Sequence, residues 1–372
     1  MCLVSFSRVW LTNFRKGLPS PFIKGEGAQR DDKGILPIHR FNYMNDQIDY
    51  LNSPFKLGSL MLTNRLIQGP LAGYSCAPFR QLYYDYKPPA YCVSEMISAQ
   101  DVLSKHQPGS RYLYRAPEEK VLCYQLSGTV PETMAQAASR LQALGADLID
   151  INCGCPKAKI RKKGAGSALL ESPQRLFDII SAMRQAISIP LTVKIRLMEN
   201  FGEIDLAKGI EQAGATALIV HGRHWTDDYD KACDLARIAS IKQSVTFPVI
   251  ANGDLADATS IHEAIRVTGC DGYMIGRAGC GRPWLYQSLL AEPGSFQAVD
   301  LSERIKCFIR HLEGLARLES EHKAMLQSKS LVRYYFREVL SDAQLQVFYA
   351  LDNMDAIHDY VKLIKPATSI NN

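Results

Sequence analysis

The chain has 372 residues, 47% hydrophobic and 22% charged, which excludes an intrinsically disordered polymer and leaves room for a large core plus a smaller second unit. Its formal net charge of +5 is too mild to establish a nucleic-acid partner, so the placement of basic residues matters more than their number. No run of 18 or more apolar residues occurs, which argues against a membrane-spanning helix.

Residues 1–43 contain Pro19, Pro21 and Pro37 and no long periodic pattern; Arg8, Arg15 and Lys16 are soon followed by Glu26, Asp31 and Asp32. No apolar segment of signal-peptide type follows a basic start. A flexible extension over residues 1–50 is expected, with a natural start at Met44 as a further reading. From residue 55, "FKLGSLMLTNRL" reads as a hairpin turning near Gly58. Short apolar strands then follow at 66–70, 90–94, 121–126, 147–152, 191–196, 216–220, 247–251 and 272–275. Helices are expected between them at 131–144, 172–187, 203–213, 231–243 and 258–268. Pro131 and Pro173 suit first helical turns, and Gly145 and Gly214 suit C-terminal caps.

This alternation implies an α/β fold with a mostly parallel sheet. Eight strands allow a closed (β/α)8 TIM barrel; a doubly wound open sheet is the rival. Polar or glycine-rich residues follow almost every strand: Gly69–Gly73, Ser94–Glu95, Gln125–Gly128, Asn152–Lys163, Lys194–Arg196, His221–Arg223, Asn252–Asp254 and Gly276–Arg277. A barrel gathers all such ends at one mouth, whereas an open sheet concentrates them at a switch point, so the pattern favours the barrel. After about residue 292 the strands stop, and helical periodicity at 301–318, 321–340, 342–350 and 353–366 predicts a C-terminal helical domain. The expected division is therefore a barrel over 51–292 and a helical domain with its tail over 293–372.

Ten cysteines are spread through the chain without a C-x-x-C pair or a zinc-type spacing, so reduced thiols in a cytoplasmic enzyme without a metal site are expected. Cys155, just beyond a strand end and followed by Pro156, could donate a proton or attack as a thiolate. Cys153 could be a second reactive thiol or a packing residue. After them come Lys157, Lys159, Arg161, Lys162 and Lys163 with no acidic residue among them. Lys194 and Arg196 share strand parity, and a lysine buried at the mouth needs either an anionic ligand or a carboxylate such as Asp150 or Glu95. Gly276 and Arg277 follow the last strand, where barrels commonly hold phosphate. His221 ends a strand before Gly222 and Arg223 and is expected in the site; Trp225 could be loop packing. In the tail, Lys329, Arg333 and Arg337 recur at i, i+4 and i+8, which gives either a solvated helix face or one that binds an anionic polymer.

Several runs together resemble the flavin-dependent tRNA-dihydrouridine synthases: "GPLAG" (69–73), "SEM" (94–96), "QLSG" (125–128), "DINCGCP" (150–156), "GAGSALL" (164–170), "VKIR" (193–196), "HGR" (221–223), "VIANGD" (249–254) and "MIGRAGCGRPW" (274–284). The resemblance implies a TIM barrel holding FMN, followed by a helical domain that helps grip tRNA. It implies that NADPH, or NADH, reduces the flavin, that hydride passes to C6 of a uracil, and that Cys155 protonates C5. Cys153 then becomes a neighbour in the loop.

The implied cofactor residues are Pro70, Leu71, Ala72, Gln125, Lys194, His221, Asn252, Gly253, Asp254, Gly276 and Arg277. Asn152 and Arg196 resemble residues near the target base, and Lys159, Arg161, Lys329 and Arg333 are candidate tRNA contacts. Two departures stand out. Leu71 replaces the usual methionine, a swap of similar volume. His224, Trp225 and Thr226 stand where the family often has Thr and then a cation, so that cation is either absent or supplied by another loop. tRNA and NADPH are the expected partners, with no membrane and no obligate protein partner. A flavin-dependent barrel oxidoreductase for a small molecule and a non-catalytic RNA-binding protein remain the alternatives.

Overall fold

The computed structural model describes residues 44–365. The readings on residues 1–43 lie outside the described residues. The last part of the expected extension is ordered structure: Met44–Asn52 is a helix that buries Ile48 and Leu51.

A hairpin follows, β1 (Phe55–Leu57) against β2 (Leu60–Leu62), with Gly58 at φ +61° in its turn. A Cβ on Gly58 would come within 2.9 Å of Thr216 Cγ2, so both conformation and space require glycine there. Phe55, Leu57 and Leu62 pack with Ile67, Val93, Leu148, Ile219 and Ile250 in one buried apolar cluster.

The next eight strands are β3 (Leu66–Gln68), β4 (Tyr91–Ser98), β5 (Leu122–Ser127), β6 (Leu148–Cys153), β7 (Leu191–Leu197), β8 (Ala217–His224), β9 (Val249–Asn252) and β10 (Gly272–Ile275). They pair in parallel in chain order, and β10 also pairs with β3, closing the barrel. That closure rules out the doubly wound sheet. Along each strand the side-chain period of two sends residues alternately to the lumen and to the helical layer. In β6, Asp150 and Asn152 therefore share one face, while Ile149, Ile151 and Cys153 join the large core beneath the helices. Cys153 is fully buried there, as a packing residue.

Two strands run further than their apolar runs suggest. β4 reaches Ser98 and β8 reaches His224; register shifts lie between Val93 and Met96 on β4 and between Arg196 and Leu197 in the β7–β8 ladder. The helix expected from residue 231 starts at Leu235, because Asp234 caps it by accepting from Arg237 N. Two short helices, Ala77–Gln81 and Ala99–Ser104, lacked enough turns to show a period.

The tail consists of the helices Leu301–Leu318, Glu321–Tyr335, Asp342–Ala350 and Met354–Lys362. Asp300, Ser320, Ser341 and Asn353 cap their N-termini through side-chain oxygens. Phe308 packs edge-on with Tyr335, Phe336 and Phe348 to form the local core. The second helix stops at Tyr335, not at 340, and Glu338 takes up φ +66° in the turn that follows. The tail joins the barrel closely: a Cβ on Gly314 would come within 2.8 Å of Pro78 Cβ. Among the described residues, no helix is long and apolar enough to cross a membrane.

Candidate active site

A cavity of about 900 Å³ opens at the C-terminal ends of the barrel strands. Pro70, Leu71 and Ala72 enter it from the segment after β3, Gln125 from β5 and Lys194 from β7. His221 comes from β8, Asn252, Gly253 and Asp254 from the end of β9, and Gly276 and Arg277 from the end of β10. Asn152, Cys155 and Arg196 line the same space. Parallel strands deliver all these side chains to one mouth, as barrel geometry requires.

A chain of directional hydrogen bonds runs through the lumen. Asp150, 1% exposed, accepts from Thr192 Oγ1 at 2.7 Å and from Gln125 Nε2 at 2.7 Å. An ionised carboxylate only accepts, so it fixes the Gln125 amide with Oε1 turned toward Asn152. Asn152 Nδ2 donates to that oxygen at 2.8 Å, which turns Asn152 Oδ1 toward the loop. There it accepts from Cys155 N at 3.0 Å and Gly154 N at 3.3 Å. The orientation of the Cys155 peptide is thus set from a carboxylate at the barrel floor. Burial pushes the Asp150 carboxyl upward, while its hydrogen bonds from Thr192 and Gln125 and the Lys194 charge pull it back.

Lys194 Nζ donates to Asn252 Oδ1 at 2.8 Å. It forms no ion pair within 4.0 Å among the described residues: Asp150 is held by Thr192 and Gln125, and Glu95 pairs with Arg111 at 2.7 Å. Lys194 therefore makes no direct salt bridge with either carboxylate, although the Asp150 charge still acts on it. Burial lowers the lysine, and the Asp150 charge opposes that shift. His221 reports the sign of the local potential. Burial first, then Lys194, Arg196, Arg223 and Arg277, push it down to about 2, so the ring is neutral.

These charges and the glycines describe a cradle for an anionic ligand. Nothing lies within 4 Å of a Cβ built on Gly276, so the backbone is open to close approach beside Arg277. The Arg277 guanidinium lies 3.6 Å from the Tyr229 ring centroid and makes no ion pair among the described residues. Gly253 has φ +122°, and a Cβ there would meet Cys233 Sγ at 2.6 Å. Asp254 contributes differently: both its oxygens accept from Arg223 Nη2 at 2.7 Å, and Oδ2 also accepts from Cys233 N. Its carboxylate organises the loop and is not free for a ligand. A buried cation with spare donors, an open glycine backbone and a second free cation fit a planar cofactor bearing phosphate, such as FMN.

The remaining expected contacts divide. Lys159 is exposed on the basic loop, and Arg333 is exposed on the tail. Lys329 turns inward: its Nζ donates to the carbonyls of Phe348, Tyr349 and Leu351, at the C-terminal end of the helix Asp342–Ala350. That position satisfies orphan carbonyls and removes Lys329 from the expected polymer-binding face. Arg337 leaves that face too, because the helix ends at Tyr335; it lines the cavity together with Tyr334.

Arg111 carried no motif signal, yet it ties three segments together. It pairs with Glu95 at 2.7 Å and Glu319 at 2.5 Å, and donates to Gly73 O at 3.0 Å. Gln327 of the tail donates to the same Gly73 carbonyl at 2.7 Å, and Gly73 N donates to Glu95 at 2.7 Å. Gly73 follows Pro70, Leu71 and Ala72, so the cavity segment is fixed from the tail.

The dihydrouridine synthase family model matches residues 67–362. The chain is 35% identical over 311 residues to tRNA-dihydrouridine synthase B of Pseudomonas aeruginosa, covering 82% of this chain and 93% of that protein. It is 37% identical over 269 residues to tRNA-dihydrouridine synthase B of Pseudomonas syringae pv. tomato, covering 71% and 80%. Among solved structures, a 2-naphthoyl-CoA reductase complex shares the fold with a TM-score of 0.51 and 14% identity, over 64% of this chain and 52% of that one. With the barrel, the cavity and this match over most of its length, the chain belongs to the dihydrouridine synthase family.

Proposed function

We propose that the protein reduces the C5–C6 double bond of a uridine in tRNA, with Cys155 as the proton donor. The observation that carries this reading is the shared cavity: Cys155, Asn152 and Arg196 line the same space as Lys194, Asn252 and Arg277. FMN would be held by Pro70–Ala72, Gln125, Lys194, Asn252, Gly253, the main chain at Asp254, Gly276 and Arg277 and, once reduced by NADPH or NADH, would supply the hydride for C6.

The chain's own residues set the geometry. Asn152 holds the Cys155 amide, so the thiol stands at a fixed place in the cavity wall and delivers its proton to C5. Arg196 spends Nε on Gly154 O at 3.0 Å and Nη1 on His224 O at 2.9 Å. Its Nη2 is left to hold a carbonyl of the base. His221 stays neutral and leaves Cys155 as the acid. The exposed Lys157, Lys159, Lys162 and Lys163 offset the cost of turning the base outward through phosphate contacts. The helical tail from Leu301 to Lys362, with Arg333 exposed, provides a further RNA-gripping surface in a cytoplasmic enzyme.

The test is anaerobic. The yellow holoenzyme is bleached with NADPH, then mixed with tRNA lacking dihydrouridine. The flavin absorbance should return only with tRNA, and digested nucleosides should contain dihydrouridine. Cys155→Ala should keep its flavin and its reduction by NADPH while losing most tRNA reduction. Reoxidation by small unsaturated carbonyl compounds but not by tRNA would favour the small-molecule alternative.

A further inference from the structure

The basic loop holds an arginine that is not free. Arg161 Nη1 donates to Ser167 Oγ at 2.9 Å, and Nη2 pairs with Glu171 at 2.5 Å. The guanidinium face lies 3.6 Å from the Trp225 ring centroid. Its side chain is only 17% exposed, unlike the neighbouring lysines.

Those contacts lead to Cys155. Arginine cannot accept a hydrogen bond, so the Ser167 hydroxyl must accept from Arg161 and turn its own hydrogen elsewhere. It donates to Cys155 O at 3.1 Å, beside the Ser167 N–H, which donates to the same carbonyl at 3.1 Å. Gly166 keeps this approach open, because a Cβ there would lie 2.7 Å from Cys155 O. The Cys155 peptide is thus held at its N–H by Asn152 and at its C=O by Ser167. Trp225 lies in the loop after β8, next to His224, whose carbonyl Arg196 grips while also gripping Gly154. The loops after β6 and β8 are therefore joined twice, by Arg196 and by the Arg161–Trp225 stack.

We propose that Arg161 and Trp225 form a positioning pair that sets the Cys155 thiol against the bound base, and that Arg161 is not a phosphate contact. The inference rests on the reading of Cys155 as proton donor. It concerns where the thiol stands, not how RNA is gripped.

The test uses the full-length holoenzyme, reduced anaerobically and mixed with saturating unmodified tRNA in single-turnover experiments. Arg161→Ala and Trp225→Ala should each slow tRNA-dependent flavin reoxidation by about 10- to 100-fold, as misplacement of a reacting group does. The double variant should be no slower than the slower single variant, because both remove one unit. Trp225→Phe keeps a ring face for the cation and should recover most of the rate. Flavin content, reduction by NADPH and the slope of log tRNA affinity against log salt should match the parent.

A normal rate at saturating tRNA with a salt slope reduced by about 1 in Arg161→Ala would make Arg161 a phosphate contact and overturn the proposal. Independent, multiplying losses in the double variant would overturn it as well, as would loss of flavin from either single variant. Cys155→Ala separates the two levels. If that variant turns over normally, the proton-donor reading itself fails; if it is inactive, that reading stands and the single- and double-variant results decide on the pair.

Discussion

Lys194 and Asn252 meet across the barrel lumen from strands β7 and β9, which are separated by β8. Asn252 Nδ2 donates to Met274 O at 2.8 Å, so its Oδ1 must face the lysine. The amide thereby aims a buried ammonium group without neutralising it.

Lys194→Met should therefore weaken FMN binding by about 10- to 100-fold, the loss expected of one charge-assisted hydrogen bond. Asn252→Ala should weaken it less, because the cation stays while its aim is lost. Titration of apoprotein with FMN, followed by quenching of flavin fluorescence, measures both. An unchanged affinity in Lys194→Met would remove the lysine from the cofactor site.

Arg111 should matter for stability and for the cofactor together. Its partners Glu95 and Glu319 have side chains 5% and 13% exposed. Arg111→Ala leaves the buried Glu95 without its cation and Glu319 with Lys323 alone, at 2.9 Å, and should cost about 3–5 kcal/mol in urea unfolding. Flavin affinity should fall as well, through release of Gly73. Arg111→Lys should rescue little, because an ammonium group lacks the planar fork that reaches Glu95, Glu319 and Gly73 O at once.

Two lysines separate RNA contact from architecture. Lys159→Ala should leave the unfolding midpoint unchanged and reduce the salt slope of tRNA binding by about 1. Lys329→Ala should do the reverse, lowering stability by about 1–2 kcal/mol through lost capping of three carbonyls. A salt-slope change in Lys329→Ala without destabilisation would contradict the inward geometry.

Acid sensitivity should come partly from two buried histidines. Burial first, then four cations, hold His221 down at about 2, and burial with Arg111 holds His311 down at about 3, against an ordinary 6.5. Unfolding lets each ring take up a proton once the pH is below 6.5. This stability is present above 6.5 and is lost as the pH falls toward 3, at up to about 1.4 kcal/mol per pH unit for each ring. His311→Gln should therefore flatten the decline between pH 6.5 and 5, where most carboxylates remain ionised. Urea unfolding at several pH values compares it with the parent; equal slopes would mean that His311 is protonated in the folded state.

The sequence made the barrel legible because strand ends such as "VIANGD" and "HGR" punctuate apolar runs at regular intervals. The cavity residues were legible because parity and position after a strand decide which side chains reach the mouth. The extensions of β4 and β8 were not, since a register shift breaks the very alternation that identifies a strand. Lys329 looked like surface because its period was right, but its acceptors lie in the next helix, beyond any local pattern. Arg161 and Trp225 sit in different loops, and only the closure of the barrel brings them face to face.

Gly281 at the barrel exit has φ +71°, and a Cβ on it would come within 2.5 Å of the Tyr334 carbonyl carbon and 2.7 Å of Tyr335 N. At this point of the seam main chain rests on main chain, and side-chain contacts such as Arg111–Glu319 and Gln327–Gly73 tie the tail to the barrel beside it. Tyr334 belongs to that seam and also lines the cavity. The helical tail is therefore a fixed jamb and not a swinging door, and a polymer entering the site must supply the bending itself.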